Sequence, residues 1–166
     1  KSNLADWLSS NNTRDPNIMK SWFKQFVSAI EYIHKKNTIY PSNILVIADD
    51  VVKICDLGIA IAFESGEGSL TMRTDIGTNL YKAPEQSIIY DHRVDIFSMD
   101  LIFLEVSDDM TEAKRIDVFT EARCAMQLSI LQDQPSTLDL VTKLTKLDRD
   151  LRPSTDELLG HPFFSE

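Results

Sequence analysis

One stretch of this 166-residue chain, Val94–Val106, limits the folds that the sequence can adopt. Its apolar residues recur at spacings that place them on every side of a helix. A helix that is apolar all round is stable only when other elements cover it, so it must lie at the centre of a domain. The apolar positions are Ile96, Phe97, Met99, Leu101, Ile102, Phe103, Leu104 and Val106.

Most of the other segments also have helical patterns. Asp15-Pro16 is typical of a helix start, because Pro fits the first helical position and Asp caps it. Ser154–Glu157 has the pattern of a capping box before a short apolar run. The predicted helices are Asn3–Leu8, Pro16 to about His34, Val94–Val106, one or two within Thr111–Leu131, Ser136–Leu147 and a short one after Ser154.

Two short β-type runs interrupt the helices. Ile44–Ile47 and Val51–Cys55 are separated by the polar turn Ala48-Asp49-Asp50, which predicts a hairpin. We therefore expect a mainly α fold with one small β-hairpin, in which residues 1–166 form a single domain.

Composition excludes some classes of function. An apolar content of 43% is ordinary for a globular protein. The net charge of −9 argues against nucleic acid or an anionic membrane surface as the partner. A charge of this size is also explained by solubility alone. Cys55 and Cys124 lie in apolar contexts and are predicted to be reduced core thiols. No secretory segment or long apolar run is present, which predicts a cytoplasmic protein.

Polar residues flank the predicted hairpin at both ends. Pro41-Ser42-Asn43 precedes the first strand, and Asp56-Leu57-Gly58 follows the second. An amide and a carboxylate placed in this way offer oxygen ligands for Mg²⁺. The same residue types also close turns through side-chain hydrogen bonds, so these two tripeptides alone do not decide between the alternatives.

A third motif is more specific. Gly77–Glu85 ends in Ala83-Pro84-Glu85, and the order of this motif after Asp56 is that of the D-F-G and A-P-E elements of protein kinases. In this order the motifs resemble the C-terminal lobe (C-lobe) of a eukaryotic protein kinase over almost the whole chain. The resemblance is greatest to the kinases that phosphorylate translation initiation factor 2α, in the stretches Asn3–Leu8, Pro41–Ile44, Asp49–Lys53, Leu80–Gln86 and Val94–Ser98.

The resemblance assigns roles to the matching residues. Asn43 and Asp56 occupy the positions that hold Mg²⁺ and ATP in active kinases, and Gly58 ends the D-F-G element. These positions are expected to be vestigial here.

Other matching residues are expected to maintain the architecture. Ala83, Pro84 and Glu85 form the A-P-E element, whose glutamate pairs in kinases with an arginine that corresponds to Arg152. In kinases the aspartate at the position of Asp95 braces the catalytic loop.

The sequence also departs from the family pattern. Kinases read H-R-D-L-x-x-x-N, and the Asp accepts the proton of the substrate hydroxyl. No acidic residue occurs between Glu31 and Asp49, and a short deletion that removes H-R-D-L explains the spacing from His34 to Asn43. Neither a Gly-rich loop nor a V-A-I-K strand is present, so the N-terminal lobe (N-lobe) is expected to be missing.

These features resemble the truncated, kinase-like inhibitors of initiation factor 2α kinases that baculoviruses make. The resemblance implies a pseudokinase without catalytic residues, metal or cofactor. It also implies that the protein binds the N-lobe of a host initiation factor 2α kinase in the host cytoplasm. Inhibition of that kinase would sustain translation during infection. Two alternatives stay open. The domain is a decoy that sequesters initiation factor 2α through the region Thr111–Arg123, or it is a residual Ser/Thr kinase completed by an N-lobe in trans.

Overall fold

The computed structural model describes residues 2–33, 44–48, 51–54, 70–71, 79–87, 89–91, 93–124, 126 and 128–165. Three of the residues predicted from the kinase motifs, Asn43, Asp56 and Gly58, lie outside this part of the chain.

The described residues form six α-helices and five short strands. The helices are α1 (Leu4–Ser10), α2 (Pro16–Ile33), α3 (Arg93–Ser107), α4 (Glu112–Arg123), α5 (Pro135–Leu144) and α6 (Thr155–Leu159). The strands are β1 (Ser2–Asn3), β2 (Ile44–Ala48), β3 (Val51–Ile54), β4 (Leu70–Thr71) and β5 (Ile89–Tyr90). Single 3-10 turns cover Asn79–Tyr81, Pro84–Ser87, Ser129–Leu131, Arg149–Leu151 and Pro162–Phe164. The prediction of a mainly α fold is confirmed.

The predicted hairpin is present, but it belongs to a larger sheet. β2 and β3 pair antiparallel with Val46 opposite Val52, and the register shifts between Val46 and Ala48. β1 pairs with the other edge of β2, so the order in this sheet is β1-β2-β3. The Val52 N–H donates to Gln25 Oε1 at 3.1 Å, which ties the hairpin to α2.

Helix α3 is the centre of the domain, as its sequence predicts. Every residue from Val94 to Val106 is buried. Phe23 of α2 is fully buried and stacks on Phe103 with ring centroids 4.2 Å apart. Phe163, after α6, packs edge-on against the same Phe103 at 5.6 Å. Because α3 is covered from several sides, the surrounding helices share one apolar core.

Two helix starts follow the predicted capping patterns. The Asn17 N–H donates to Asp15 Oδ1 at 2.9 Å at the start of α2. At α6 the Ser154 side chain accepts from the Glu157 N–H, and the Glu157 carboxylate accepts from the Ser154 N–H at 2.7 Å. The predicted capping box is therefore confirmed.

The prediction of two core thiols is wrong for Cys124. This residue is the C-cap of α4, and its side chain is exposed. The prediction inferred burial of Cys124 from the apolar residues next to it in sequence. A residue at a helix end can point away from the core although its neighbours point into it. Cys55 lies outside the described residues.

Asp100 is an unusual residue in the centre of α3. Its side chain is fully buried, and neither carboxylate oxygen has a hydrogen-bond partner among the described residues. Burial raises the pKa of Asp100 well above its usual range. This carboxyl group stands where kinases have a small glycine, and it destabilises the core that it occupies.

We expect Asp100→Ala to raise the free energy of unfolding by about 1–3 kcal/mol, because the substitution removes this unpaired buried carboxyl group. Because folding raises the pKa of Asp100, the native chain should lose stability as the pH rises above the unfolded value of about 4. The gain from the substitution should therefore be larger at neutral pH than near pH 4. Urea unfolding at both pH values tests this, with the exposed Asp117→Ala as the control. Lower stability of Asp100→Ala at neutral pH would contradict the prediction.

Candidate functional site

A buried ion pair anchors the segment Asn79–Ser87, which contains Ala83, Pro84 and Glu85. Arg152 donates from Nη1 to Glu85 Oε1 at 2.5 Å and from Nη2 to Glu85 Oε2 at 2.9 Å. The Arg152 side chain is fully covered, whereas that of Glu85 is 18% exposed. The planar guanidinium matches the carboxylate with two parallel hydrogen bonds, which fixes both position and orientation.

Arg152 also holds two other segments in place. Its Nε donates to the carbonyl oxygen of Lys146 at 2.7 Å, and its Nη1 donates to that of Arg93 at 3.1 Å. The guanidinium lies 4.9 Å from the ring centroid of Phe97 in α3. A single side chain therefore connects the A-P-E segment, the start of α3 and the loop after α5.

A second buried network joins the same segment to α3 and α4. The Tyr81 hydroxyl donates to Glu105 Oε2 at 2.6 Å, and Arg115 Nη1 donates to Glu105 Oε1 at 2.7 Å. The Ser98 hydroxyl donates to the carbonyl oxygen of Tyr81 at 2.8 Å. Burial raises the pKa of Tyr81, and the neighbouring Glu105 raises it further. The phenol therefore stays protonated and acts as a donor at neutral pH.

Arg123 is a third anchor, which the sequence did not reveal. It lies in the last turn of α4 and donates from Nη2 to the carbonyl oxygens of Leu80 and Lys82, the latter at 3.2 Å. Burial lowers the pKa of Arg123. The only sequence signal was a basic residue in the final turn of a helix. Such a residue normally predicts a favourable interaction with the helix dipole and does not predict a tertiary contact.

These anchors fix the inner side of α4 and leave its outer side free for contacts. Arg115 and Arg123 hold the helix to the core, whereas Ile116 on the outer side is 48% exposed. Charged residues of both signs surround Ile116, and the exposed Lys114 forms an ion pair with Asp108 at 2.7 Å. A rigid helix with one exposed apolar side chain among charges is suited to protein contacts, although an ordinary solvated helix face has the same composition.

Asp95 is placed at the start of α3 as predicted, and it is 2% exposed. Its Oδ1 has no hydrogen-bond partner among the described residues. Burial, and to a lesser extent the nearby Asp91, raises the pKa of Asp95. The loop that Asp95 is expected to brace lies outside the described residues, so this role stays a prediction.

Neither a candidate metal site nor a membrane-spanning helix is found in the described part of the chain. There, no group of three or more His, Cys, Asp or Glu side chains has an arrangement that suits a metal ion. None of the described helices is both long enough and apolar enough to cross a membrane.

Comparison with known proteins decides the family. The model of the family described as "Protein kinase domain" matches residues 1–164. The chain belongs to the protein kinase domain family. Because the match extends over nearly the whole chain, the A-P-E segment and its anchors can be read as parts of a protein kinase domain.

Kinases of initiation factor 2α are among the relatives of this protein kinase domain. Bovine eukaryotic translation initiation factor 2-alpha kinase 3 is 35% identical over 187 residues, which cover 100% of this chain and 17% of the relative. The kinase pek-1 of Caenorhabditis elegans is 31% identical and covers 96% of the chain and 17% of the relative. The mouse interferon-induced, double-stranded RNA-activated protein kinase is 33% identical over 168 residues, 96% of the chain and 32% of the relative.

The chain therefore spans a third or less of the length of these relatives. The alignment with the bovine kinase is longer than the chain itself, so that relative carries residues with no counterpart here.

Proposed function

We propose that this kinase-like domain transfers no phosphate and instead binds and inhibits a translation initiation factor 2α kinase. One observation carries the proposal: no acidic residue occurs between Glu31 and Asp49, where kinases place their catalytic base. The anchors around Glu85 and Arg152 are nevertheless complete. A domain that keeps its architecture and lacks its base is suited to binding and not to catalysis.

The proposed contact is the hairpin face, which we define as β1–β3 and the start of α1. In an active kinase the N-lobe and the C-lobe together form the ATP site, and the hairpin lies on the side where the lobes meet. A domain that offers this face to a host kinase would bind the host N-lobe and separate it from its own catalytic aspartate. The resulting complex would hold ATP ligands from one partner and a loop without a base from the other.

This mode of binding competes with an intramolecular contact. The two lobes of the host kinase are covalently linked, so each has a high effective concentration for the other. The domain should therefore bind best to a host kinase that is open or newly made. By this proposal it acts in the host cytoplasm, sustains translation during infection as truncated viral kinase-like proteins do, and needs no cofactor, nucleic acid or membrane.

An inhibition assay tests this function. Adding the purified chain to an active initiation factor 2α kinase should lower ³²P incorporation into the factor in proportion to the amount added. Asp56→Ala should inhibit equally, because the proposal requires no chemistry. Lys53→Glu on the exposed side of β3 should weaken inhibition at least about tenfold, whereas Lys146→Glu, at another exposed lysine, should leave it unchanged. Undiminished phosphorylation in the presence of excess chain would refute the proposal.

A second candidate function uses α4. Its rigid attachment through Arg115 and Arg123 and its exposed Ile116 favour a docking surface for initiation factor 2α itself. In that case the free factor should co-purify with the chain, and Ile116→Asp should abolish the interaction. Retention of the factor by Ile116→Asp would mean that α4 is an ordinary solvated helix.

A further inference from the structure

A cavity of about 320 Å³ lies beside the C-terminal half of α3, where Phe103 and Ser107 line it. The Glu85–Arg152 pair lies near the start of the same helix, where Arg152 contacts Arg93. The cavity is partly open to solvent and is lined by the starts of α2 and α5, the C-terminal end of α3 and the turn Pro162–Phe164. Met19, Phe103 and Phe163 provide apolar walls. The cavity has the size and partly apolar lining of a small-molecule site.

The charge of the lining is opposite to that of the whole chain. Arg14 and Lys20 line the cavity, and none of the described residues that line it is acidic. The chain as a whole carries 26 acidic and 17 basic residues, so a lining with two cations and no acid is a local departure. Lys20 Nζ lies 5.2 Å from the ring centroid of Phe163, which places this charge next to an apolar wall.

Arg14 is a buried cation with incomplete partners. Its side chain is 8% exposed, and its Nε and Nη1 have no hydrogen-bond partner among the described residues. The contacts of Nη2 are long, at 3.4 Å to the carbonyl oxygen of Leu8 and 3.8 Å to Asp109 Oδ1. Burial lowers the pKa of Arg14. The guanidinium also lies 5.2 Å from the ring centroid of Trp7, and its two unused donor nitrogens retain hydrogen-bonding capacity for an anion.

One helix end adds to the positive potential. The first turn of the ten-residue helix α5 lines the cavity through Ser136 and Thr137. The N-cap residue of this helix, Gln134, forms no side-chain cap hydrogen bond, whereas Asp15 caps α2. The partial positive charge of the α5 start is therefore not neutralised by a cap of its own.

We propose that this cavity binds a small organic carboxylate. The carboxylate group would lie between Arg14, Lys20 and the first turn of α5, and the apolar body of the ligand would pack on Phe103 and Phe163. The carboxylates of Asp109, Glu105 and Asp108 also act on Arg14, and their charges disfavour a doubly charged ligand more strongly than a singly charged one. A single negative charge on an apolar body matches both the charge and the lining.

Binding of benzoate to the purified chain, measured by isothermal titration or by NMR shifts, tests the proposal. Benzamide has the same shape without the charge and serves as the matched ligand, and inorganic phosphate tests for a site that accepts any anion. We expect benzoate to bind at least about tenfold more tightly than either.

Variants locate the site. Arg14→Met should weaken benzoate binding about tenfold and leave benzamide binding unchanged. If Arg14→Met does not fold, Lys20→Met serves instead. It should weaken benzoate binding by a smaller factor and leave benzamide binding unchanged. Lys24→Met removes an exposed lysine on α2 that does not line the cavity, and it should change nothing. Equal affinities for benzoate and benzamide, tighter binding of phosphate, or an equal loss in Lys24→Met would each overturn the assignment.

Discussion

Replacing Arg152 with alanine is expected to lower the free energy of unfolding by about 3–5 kcal/mol. The substitution would leave Glu85 with an uncompensated charge and would leave the carbonyl oxygens of Lys146 and Arg93 without these donors. It would also remove the packing of the guanidinium against Phe97. Urea unfolding should show a lower midpoint with a similar slope.

The chain supplies a matched control for this prediction. Arg149 lies three residues earlier, and its side chain is 30% exposed and 3.6 Å from the Asp91 carboxylate. Because this partly buried pair is a single contact beyond hydrogen-bond distance, Arg149→Ala should change the free energy of unfolding by no more than about 1 kcal/mol. Similar losses for the two variants would mean that the Glu85–Arg152 pair does not anchor the A-P-E segment.

The second large effect concerns catalysis. The purified chain is expected to transfer phosphate to initiation factor 2α ~10²–10⁴-fold or more slowly than an active kinase, because no acidic residue occurs between Glu31 and Asp49, where kinases place their base. The rate should stay this low when an N-lobe is supplied in trans. Transfer of ³²P in that mixture, lost on Asp56→Ala of this chain, would contradict the prediction and favour the residual kinase.

Local patterns in the sequence were sufficient to predict the elements that form the core. The all-apolar α3 and the capping box at Ser154 each depend on neighbours within one or two helical turns, so their signals are complete in a short window. β1 and β4–β5 were missed because a two-residue strand has no periodicity and exists only through its partner. The pairing of Glu85 with Arg152 was predicted from the family resemblance and not from a local pattern.

The functional features that were missed are those created by the tertiary fold. Arg123 contacts carbonyl oxygens more than 40 positions away in sequence, and such backbone acceptors carry no residue-type signal. The cavity beside Arg14 arises where three helices and a turn meet, and no motif marks its lining. The exposure of Cys124 likewise depends on how α4 ends.

We propose above that the hairpin face binds the N-lobe of an initiation factor 2α kinase. The measurement that tests it most directly compares the affinity of this chain for the separated N-lobe and C-lobe of such a kinase, for example by isothermal titration. We expect the N-lobe to bind more tightly, and we expect Lys53→Glu but not Lys146→Glu to weaken this binding. Tighter binding of the isolated C-lobe would contradict binding through the hairpin face and would indicate that the two C-lobes pair back to back.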